Sequence, residues 1–252
     1  MINPLDVSGR CFLVTGASSG LGREIAILLS QLGARVILAG RNKKELLKTV
    51  KMMEGENHVI KPFDLRDVDK IPRWLKDSVK ETGPLDGLVH SAGVAITLPL
   101  RALNRGRIEE TMGINFYAAL ILTKAFRQKG VCSNGGSVVY ISSVAGLIGI
   151  PGLSAYSSSK GALNAMCKSL AMELAKENIR INCVAPGHVM TEIYKKTKTI
   201  LPPENFEALE AAHPLGLGKP RDVANAVVFL LGDTGRWITG TTMVVDGGCS
   251  AH

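Results

Sequence analysis

The chain has 252 residues, of which 46% are hydrophobic and 21% charged, and its formal net charge is +8. This length and apolar content suit one large α/β domain, which we expect to span residues 1–252. No apolar run reaches the roughly 18 residues of a membrane span. An aromatic content of 5%, with no nucleic-acid motif and scattered basic residues, argues against a nucleic-acid partner. An anionic small molecule stays open.

The N-terminal segment MINPLDVSGR has no basic stretch followed by an apolar one, so we expect no signal peptide. The five cysteines are an odd number, are widely spaced and include no CxxC pair. Such cysteines are typical of reduced thiols. The sequence therefore predicts a cytoplasmic protein, and it offers no candidate metal ligands.

Short apolar runs alternate along the chain with longer segments of helical periodicity. The runs predict strands over residues 11–15, 35–39, 58–63, 87–91, 137–142, 180–185 and 242–246. The helical patterns are Leu21, Ile25, Leu28, Leu29 and Leu32 before Gly33, then Ile71, Leu75 and Val79, then segments near 107–129, 154–177 and 221–231.

This alternation predicts an α/β fold of the Rossmann type, with one doubly wound parallel sheet of about seven strands and helices on both faces. The longest stretch without a clear strand is 187–220, which we expect to be a substrate loop. In such a sheet, ligands bind beyond the carboxyl ends of the strands, so the residues that follow each strand are candidate site residues.

The first predicted strand leads into TGASSGLG, residues 15–22. Gly16 permits a tight turn, while Gly20 and Gly22 allow close backbone approach, so that amides at the start of the helix can hold a pyrophosphate. A merely structural turn is the alternative. The candidate cofactor contacts here are Gly16, Ser18, Ser19, Gly20, Leu21 and Gly22.

The second strand ends in LAGRN, where NAD-binding proteins usually place a carboxylate for the ribose hydroxyls. Ala39 and Gly40 stand there instead, and the guanidinium of Arg41 matches a 2′-phosphate. NADP is therefore favoured, unless Arg41 merely begins the next helix. After the third strand, Asp64 either accepts a hydrogen bond from adenine or serves as an N-terminal carboxylate for a helix starting near Arg66.

Tyr156 and Lys160 are four residues apart in the segment AYSSSKGAL, so a helix places them on one face. We expect the Lys160 cation to lower the pKa of the phenol toward the working range of a proton donor. Ser143, at the end of the SVVYIS strand, is placed to hydrogen-bond a substrate carbonyl.

Together these residues resemble the short-chain dehydrogenase/reductase family from about Ser8 to Gly248. The matching motifs are TGxxxGxG (Thr15, Gly16, Gly20, Gly22), the turn Ala92-Gly93, Asn115 within NFYA, Ser143, YxxxK (Tyr156, Lys160) and NxxxPGxxxT (Asn182, Pro186, Gly187, Thr191).

The resemblance implies an oxidoreductase that transfers hydride between NADP(H) and a carbonyl or secondary alcohol. Tyr156 would be the general acid and base, Ser143 would polarise the carbonyl, and Lys160 would hold the nicotinamide ribose. Asn115 would relay protons through a helix distortion and a water. Further implied cofactor contacts are Asp64, Leu65, Ser91, Ala92, Gly93, Pro186, Gly187, Val189 and Thr191.

The chain departs from the family pattern at several positions. His90 and Ser91 replace the asparagines of the usual NNAG, and we expect His90 to be a hydrogen-bonded core residue. His188 and Met190 are unusual within PGHVMT, and His188 is a candidate substrate contact. The pattern is most similar to β-ketoacyl-acyl carrier protein reductases, yet Glu177 stands where these often have a basic residue, leaving Arg127 and Lys129 as candidate carrier contacts.

Other substrates stay open, among them a sugar, a steroid or a quinone. A non-catalytic NADP-binding regulator or scaffold is the alternative from another class, but such proteins have often lost the Tyr or Lys. The helices near 107–129 and 154–177 carry apolar residues beyond what one sheet face needs, among them Ala118, Leu120, Ile121, Met166 and Leu170. In relatives these helices pair, so the resemblance implies a homotetramer, with a dimer as the next choice.

Overall fold

The computed structural model describes residues 3–191 and 203–251. Its strands form one seven-stranded parallel sheet in the order β3-β2-β1-β4-β5-β6-β7. They are β1 (Cys11–Thr15), β2 (Arg35–Gly40), β3 (Val59–Pro62), β4 (Leu85–His90), β5 (Cys132–Ile141), β6 (Ile179–Pro186) and β7 (Thr242–Val245). The strand order reverses between β1 and β4, which places a crevice for a ligand at this point.

Helices surround the sheet. They are α1 (Gly20–Gln31), α2 (Lys43–Val50), α3 (Ile71–Thr82), α4 (Arg105–Met112), α5 (Ala118–Phe126), α6 (Ser154–Leu174), α7 (Pro203–Ala211) and α8 (Pro220–Leu231). No helix within residues 3–191 and 203–251 has both the length and the hydropathy of a membrane span.

Alternate residues of each central strand point to opposite faces and so build two cores. In β1, Leu13 enters a core that is shared with α3, α5 and α6. Phe12 and Val14 enter the other core, which is shared with α1 and α8. All five residues of β1 are buried, since the strand is covered on both sides. The predicted fold class and all seven predicted strands are confirmed.

Three predicted elements differ from the structure. The segment near 107–129 is not one helix, because a π-helical turn at Gly113–Tyr117 separates α4 from α5. The helix expected near Arg66 starts later, with a short 3-10 turn at Val68–Lys70 before α3, since Asp67 N–H closes a turn onto the Asp64 carbonyl at 3.1 Å. The expected loop 187–220 contains α7, while its residues 192–202 lie outside the described part.

The apolar residues of α5 and α6 that suggested an oligomer are mostly used inside the chain. Ala118 and Met166 are buried, and Leu120, Ile121 and Leu170 pack against the same core. Ala118 and Met166 are therefore used inside the chain, whereas Leu120, Ile121 and Leu170 are only partly buried and keep some exposed apolar surface. Elsewhere, Met172 on α6 and Trp237 after α8 are 82% and 94% exposed.

Candidate active site

A cavity of about 930 Å³ lies at the carboxyl ends of the central strands. All the candidate cofactor residues line it, as do Ser143, Tyr156 and Lys160. Of the predicted catalytic residues, only Asn115 is not among the described lining residues. Parallel strands end on the same edge of the sheet, which explains why residues far apart in sequence meet here. The cofactor residues in the wall are Gly16, Ser18, Ser19, Gly20, Leu21, Gly22, Arg41, Asp64, Leu65, Ser91, Ala92, Gly93, Pro186, Gly187, Val189 and Thr191.

The glycine-rich turn forms a close-fitting cradle between β1 and α1. Gly16 has a φ of +69°, and a Cβ added to it would lie 2.8 Å from the amide nitrogen of Ala92. A Cβ on Gly22 would overlap the carbonyl oxygen of Gly16. Side chains are therefore excluded from this corner, and α1 begins at Gly20 in the wall of the cavity. The N-terminus of a helix favours an anionic ligand, so the turn fits a pyrophosphate.

Arg41 and Asp64 lie at the end of the cavity that follows β2 and β3. Arg41 is exposed and comes before α2, whose N-cap is Asn42, so it does not start that helix. It forms no ion pair with the residues described in the structure. Asp64 is bound instead by Arg66, whose amide donates to it at 3.1 Å and whose guanidinium chelates it. The side-chain hydrogen bond from Arg66 is the main reason why the pKa of Asp64 lies below its usual range.

Tyr156 and Lys160 lie on the same side of α6, as the spacing predicted. The Lys160 ammonium is 5.6 Å from the centre of the Tyr156 ring and donates to the Ile141 carbonyl at 2.7 Å. Ser143 follows β5 and its side chain accepts from the amide of Ala145 at 3.2 Å. The Ser143 side chain is close enough to Tyr156 to lower the pKa of the phenol. The three groups thus form one cluster in the cavity wall.

The pKa of Tyr156 is shifted in the direction opposite to our expectation. Burial raises it above its ordinary value, and the Ser143 hydrogen bond only partly opposes this. Burial also lowers the pKa of Lys160, from 10.5 to about 8, because only 4% of this residue is exposed. The Lys160 ammonium donates to the Ile141 carbonyl, and the Tyr156 hydroxyl and the Lys160 ammonium both lose hydration. The cost of desolvation therefore outweighs the stabilisation that the cation would give to the phenolate.

Asn115 is fully buried in the π-helical turn between α4 and α5. Its side-chain oxygen accepts from the Val94 amide at 2.9 Å, and its nitrogen donates to the Val94 carbonyl at 3.0 Å and to the Ser159 hydroxyl at 2.9 Å. Ser159 in turn donates to the Tyr156 carbonyl at 2.7 Å. The predicted distortion of the helix is confirmed. The side-chain amide of Asn115 connects this turn both to α6 and to the segment that follows β4.

His90 is fully buried, and both of its ring nitrogens have partners. Nδ1 lies 3.2 Å from the Thr15 hydroxyl and Nε2 lies 3.2 Å from the Ile114 carbonyl. Burial, and then the charge of Lys160, lower its pKa to about 3, so the ring is neutral at physiological pH. The expectation of a hydrogen-bonded core residue is confirmed. His90 links the ends of β1 and β4 to the π-helical turn.

Loop Pro186–Thr191 closes one side of the cavity and is attached to α7 through His213. The amide of His188 donates to His213 Nε2 at 3.0 Å, and His213 Nδ1 donates to the Leu209 carbonyl at 2.8 Å. His213 is only 5% exposed. We call this pair of hydrogen bonds the His213 latch. Sequence analysis missed it, since His213 lies far from the motifs and in no periodic pattern.

Comparison with known proteins bears on the whole chain. A family model described as enoyl-(acyl carrier protein) reductase matches residues 16–250. The chain is 36% identical to the 3-oxoacyl-[acyl-carrier-protein] reductase FabG of Rickettsia conorii, over 97% of this chain and 98% of that protein. The chain belongs to the short-chain dehydrogenase/reductase family. It is an oxidoreductase of CH–OH and C=O groups, and the family uses a nicotinamide cofactor.

Two solved structures of short-chain dehydrogenase/reductase proteins are similar over nearly all of the chain. A protein of Sinorhizobium meliloti assigned as a short-chain alcohol dehydrogenase has a TM-score of 0.92 and 32% identity, covering 99% of each chain. A protein of Agrobacterium tumefaciens assigned as a 2-deoxy-D-gluconate 3-dehydrogenase, with bound NADP, has a TM-score of 0.87 and 31% identity, covering 100% of each chain.

Proposed function

We propose that the protein is an NADPH-dependent reductase that converts a carbonyl group into a secondary alcohol, with Tyr156 as the proton donor. The observation that carries this proposal is the cluster of Ser143, Tyr156 and Lys160 in the wall of the same cavity as the glycine-rich cradle. A non-catalytic binder would have no need for all three groups. Their common position favours the enzyme over a regulator or scaffold.

NADPH, when bound, would supply the hydride that reduces the carbonyl carbon. Ser143 donates a hydrogen bond to the carbonyl oxygen and holds it beside the Tyr156 hydroxyl. Tyr156 then gives its proton to this oxygen as negative charge develops there. The raised pKa of Tyr156 keeps the phenol protonated at neutral pH, so the proton donor is present before the reaction begins.

Lys160 stabilises the phenolate that remains after proton transfer, and it would also bind the nicotinamide ribose. Because Lys160 is buried in a poorly hydrated site, its positive charge attracts the newly formed phenolate strongly. The π-helical turn at Asn115 would carry the replacement proton towards Lys160 through water. Asn115 and Lys160 both lie close to Gly93, because a Cβ added there would lie 3.2 Å from Asn115 Oδ1 and 3.5 Å from Lys160 Nζ.

The preference for NADPH over NADH rests on Arg41. Its guanidinium is exposed in the cavity wall at the end of β2, where a carboxylate would repel a 2′-phosphate. The negative charge of Asp64 is balanced by its ion pair with Arg66. The bound NADP of the Agrobacterium structure is consistent with the same choice.

A 3-oxoacyl thioester is one candidate substrate, given the similarity to FabG. One observation counts against an acyl carrier protein as its vehicle. Arg127, a candidate carrier contact, forms hydrogen bonds with Glu177 at 2.6 and 3.2 Å and is thereby neutralised. Of the predicted carrier contacts only Lys129 is left, so a sugar, steroid, quinone or other free carbonyl compound stays in consideration.

The proposal treats residues 1–252 as one domain and the working enzyme as a cytoplasmic homotetramer. The family resemblance supports the tetramer. The five free thiols support a reducing compartment.

The test is Tyr156→Phe, with Tyr117→Phe as the matched control on an exposed tyrosine. Removing the proton donor should lower kcat for ketone reduction by at least about 100-fold, while fluorescence titration shows NADPH binding unchanged and tighter than NADH binding. Tyr117→Phe should leave kcat unchanged. Substantial turnover by Tyr156→Phe would contradict the role of Tyr156, and a preference for NADH would contradict that of Arg41.

A further inference from the structure

The glycine-rich turn is held from behind by two side chains that lie outside the sequence motifs. Thr49, near the end of α2, is fully buried, and its hydroxyl donates to the Ala17 carbonyl at 2.8 Å. Arg23, near the start of α1, donates from its guanidinium to the Ser18 carbonyl. Arg23 also donates to the Thr49 hydroxyl at 3.2 Å, so the two side chains form one unit, which we call the turn clasp.

The turn clasp determines where the backbone amides of the turn point. In a planar trans peptide, the C=O and N–H groups point in opposite directions. The carbonyls of Ala17 and Ser18 face the clasp, so the N–H groups of the same peptide units, those of Ser18 and Ser19, face away from it. Ser18 and Ser19 line the cavity, whereas Arg23 and Thr49 are not among its described lining residues. Successive N–H groups that are held on the cavity side of a turn can bind an anion.

This part of the turn lies beside the end of β2. The Ala17 amide donates to the Ala39 carbonyl at 3.2 Å. A Cβ added to Gly40 would lie 3.5 Å from Ser18 Oγ, and Gly40 directly precedes Arg41. The two amides therefore lie at the same end of the cavity as the guanidinium that we expect to bind the 2′-phosphate.

The turn clasp also connects to the start of α2. Arg23 forms an ion pair with Glu45 at 3.2 Å, and the Glu45 amide donates to Asn42 Oδ1 at 3.3 Å. Asn42 is the N-cap of α2 and directly follows Arg41. The dipole of α1 disfavours a cation near its N-terminus, so Arg23 stands at an unfavourable position that these contacts offset. One network thus holds both the turn and the segment that carries Arg41.

We propose that Arg23 and Thr49 are positioning residues for the 2′-phosphate of NADPH. By holding the two carbonyls of the turn, they keep the two amides on the side where Arg41 binds this phosphate. The inference rests on the proposed function and deepens its cofactor preference. Because NADH lacks the 2′-phosphate, loss of the turn clasp weakens the binding of NADPH more than that of NADH. A clasp that only packed α1 against α2 would affect the free energy of unfolding and leave the ratio of the two affinities unchanged.

The test is a fluorescence titration of the full chain with NADPH and with NADH. Thr49→Val removes the hydroxyl and changes neither the charge nor the shape of the side chain. We expect it to raise the Kd of NADPH by about tenfold and that of NADH by no more than about twofold, as the loss of one buried hydrogen bond allows. Thr49→Ser keeps the hydroxyl and should keep the native ratio.

A second variant and a matched control accompany these two. Arg23→Gln loses the ion pair with Glu45 and weakens the hold on Ser18, so the Kd of NADPH should rise by at least as much as in Thr49→Val. Thr111→Val is the control, because Thr111 is also fully buried and its hydroxyl donates to the Arg107 carbonyl at 2.8 Å, within α4. It should lower the melting temperature without changing the ratio of the two affinities.

The possible outcomes separate the inference from the proposed function. An NADPH-to-NADH affinity ratio that stays native in Thr49→Val and Arg23→Gln, whether both Kd values rise equally or neither rises, would overturn the inference and leave the proposed reductase intact. If Thr49→Val does not fold, the ratio in Arg23→Gln decides. A native preference for NADH would contradict the proposed cofactor itself, and it would be visible before any variant is compared.

Discussion

Lys160 carries an ammonium group in a position that favours function over stability. Only 4% of the residue is exposed, and among the described residues its ammonium donates to a neutral carbonyl, that of Ile141. Burial lowers its pKa from 10.5 to about 8, so the charged form is less stable in the folded chain than in the unfolded one. Between these two values the unfolded chain binds more protons, and the free energy of unfolding therefore rises with pH.

Replacing this lysine should stabilise the protein while it removes activity. At pH 7, Lys160→Met removes a buried charge and loses one hydrogen bond, so we expect the free energy of unfolding to rise by about 1–3 kcal/mol. The gain should shrink as the pH rises from about 8 to 10.5, where the native lysine loses its proton. Denaturant unfolding at several pH values measures this gain.

Lys168→Met is the control, because Lys168 is exposed on the same helix, α6. Its effect on the free energy of unfolding should stay within about 0.5 kcal/mol. A Lys160→Met protein that is less stable than the native one at pH 7 would show that the ammonium is better compensated than its surroundings indicate.

At the scale of elements, the His213 latch determines how α7 and loop Pro186–Thr191 stand relative to each other. A single imidazole accepts from the His188 amide and donates to the Leu209 carbonyl. A Cβ on Gly187 would lie 3.0 Å from His213 Nε2, so the ring also packs closely on the loop. Both connected segments line the cavity, and the latch thus positions its wall without touching the reacting atoms.

Breaking the latch should weaken ligand binding more than chemistry. We expect His213→Ala to raise KM for NADPH and for the ketone by about tenfold, with a smaller change in kcat, because two wall segments lose their common support. His213→Asn can keep the bond to Leu209 while losing the bond to His188, and should give an intermediate KM. Steady-state kinetics with both substrates measures these changes.

His58 provides a matched control away from the cavity. It also accepts from one backbone amide, that of Val36 at 3.2 Å, and bonds one backbone carbonyl, that of Glu54 at 2.7 Å. His58→Ala should lower stability by about 1–3 kcal/mol without changing KM. If both alanine variants leave KM unchanged, the latch has only a structural role.

Local spacing was enough to predict some elements of the site and not others. Tyr156 and Lys160 share a helix face because they are four residues apart, and Gly16 was recognisable because it directly follows a strand. The latch joins His188 to His213 across a stretch with no regular pattern, so no local signal marks it. The pKa shift of Tyr156 was missed because desolvation depends on everything packed around the phenol, which spacing does not describe.

For the whole molecule, the net charge of +8 does not by itself mark a docking face. Arg127 is paired with Glu177, and many other basic side chains form surface ion pairs, which contribute little to stability individually. An apolar surface near the sheet edge is more informative. Strand β7 is one of the two edge strands of the sheet, and Val244 on it is 42% exposed. Trp237 and Met172 are also exposed, and they lie in two segments that approach each other where a Cβ added to Gly240 would lie 3.4 Å from that of Ala171.

An exposed strand edge flanked by large apolar side chains is a surface that a second copy of the chain would cover. The family resemblance implies a homotetramer, so we expect light scattering to give about four times the 26.9 kDa of one chain, and Trp237→Asp to lower that mass if this surface forms one of the contacts. Leu100→Asp, at an equally apolar exposed residue after β4, should leave the mass unchanged. A native monomer would contradict the tetramer. A tetramer that survives Trp237→Asp would instead move the interface away from β7, and the exposed tryptophan would then need another partner.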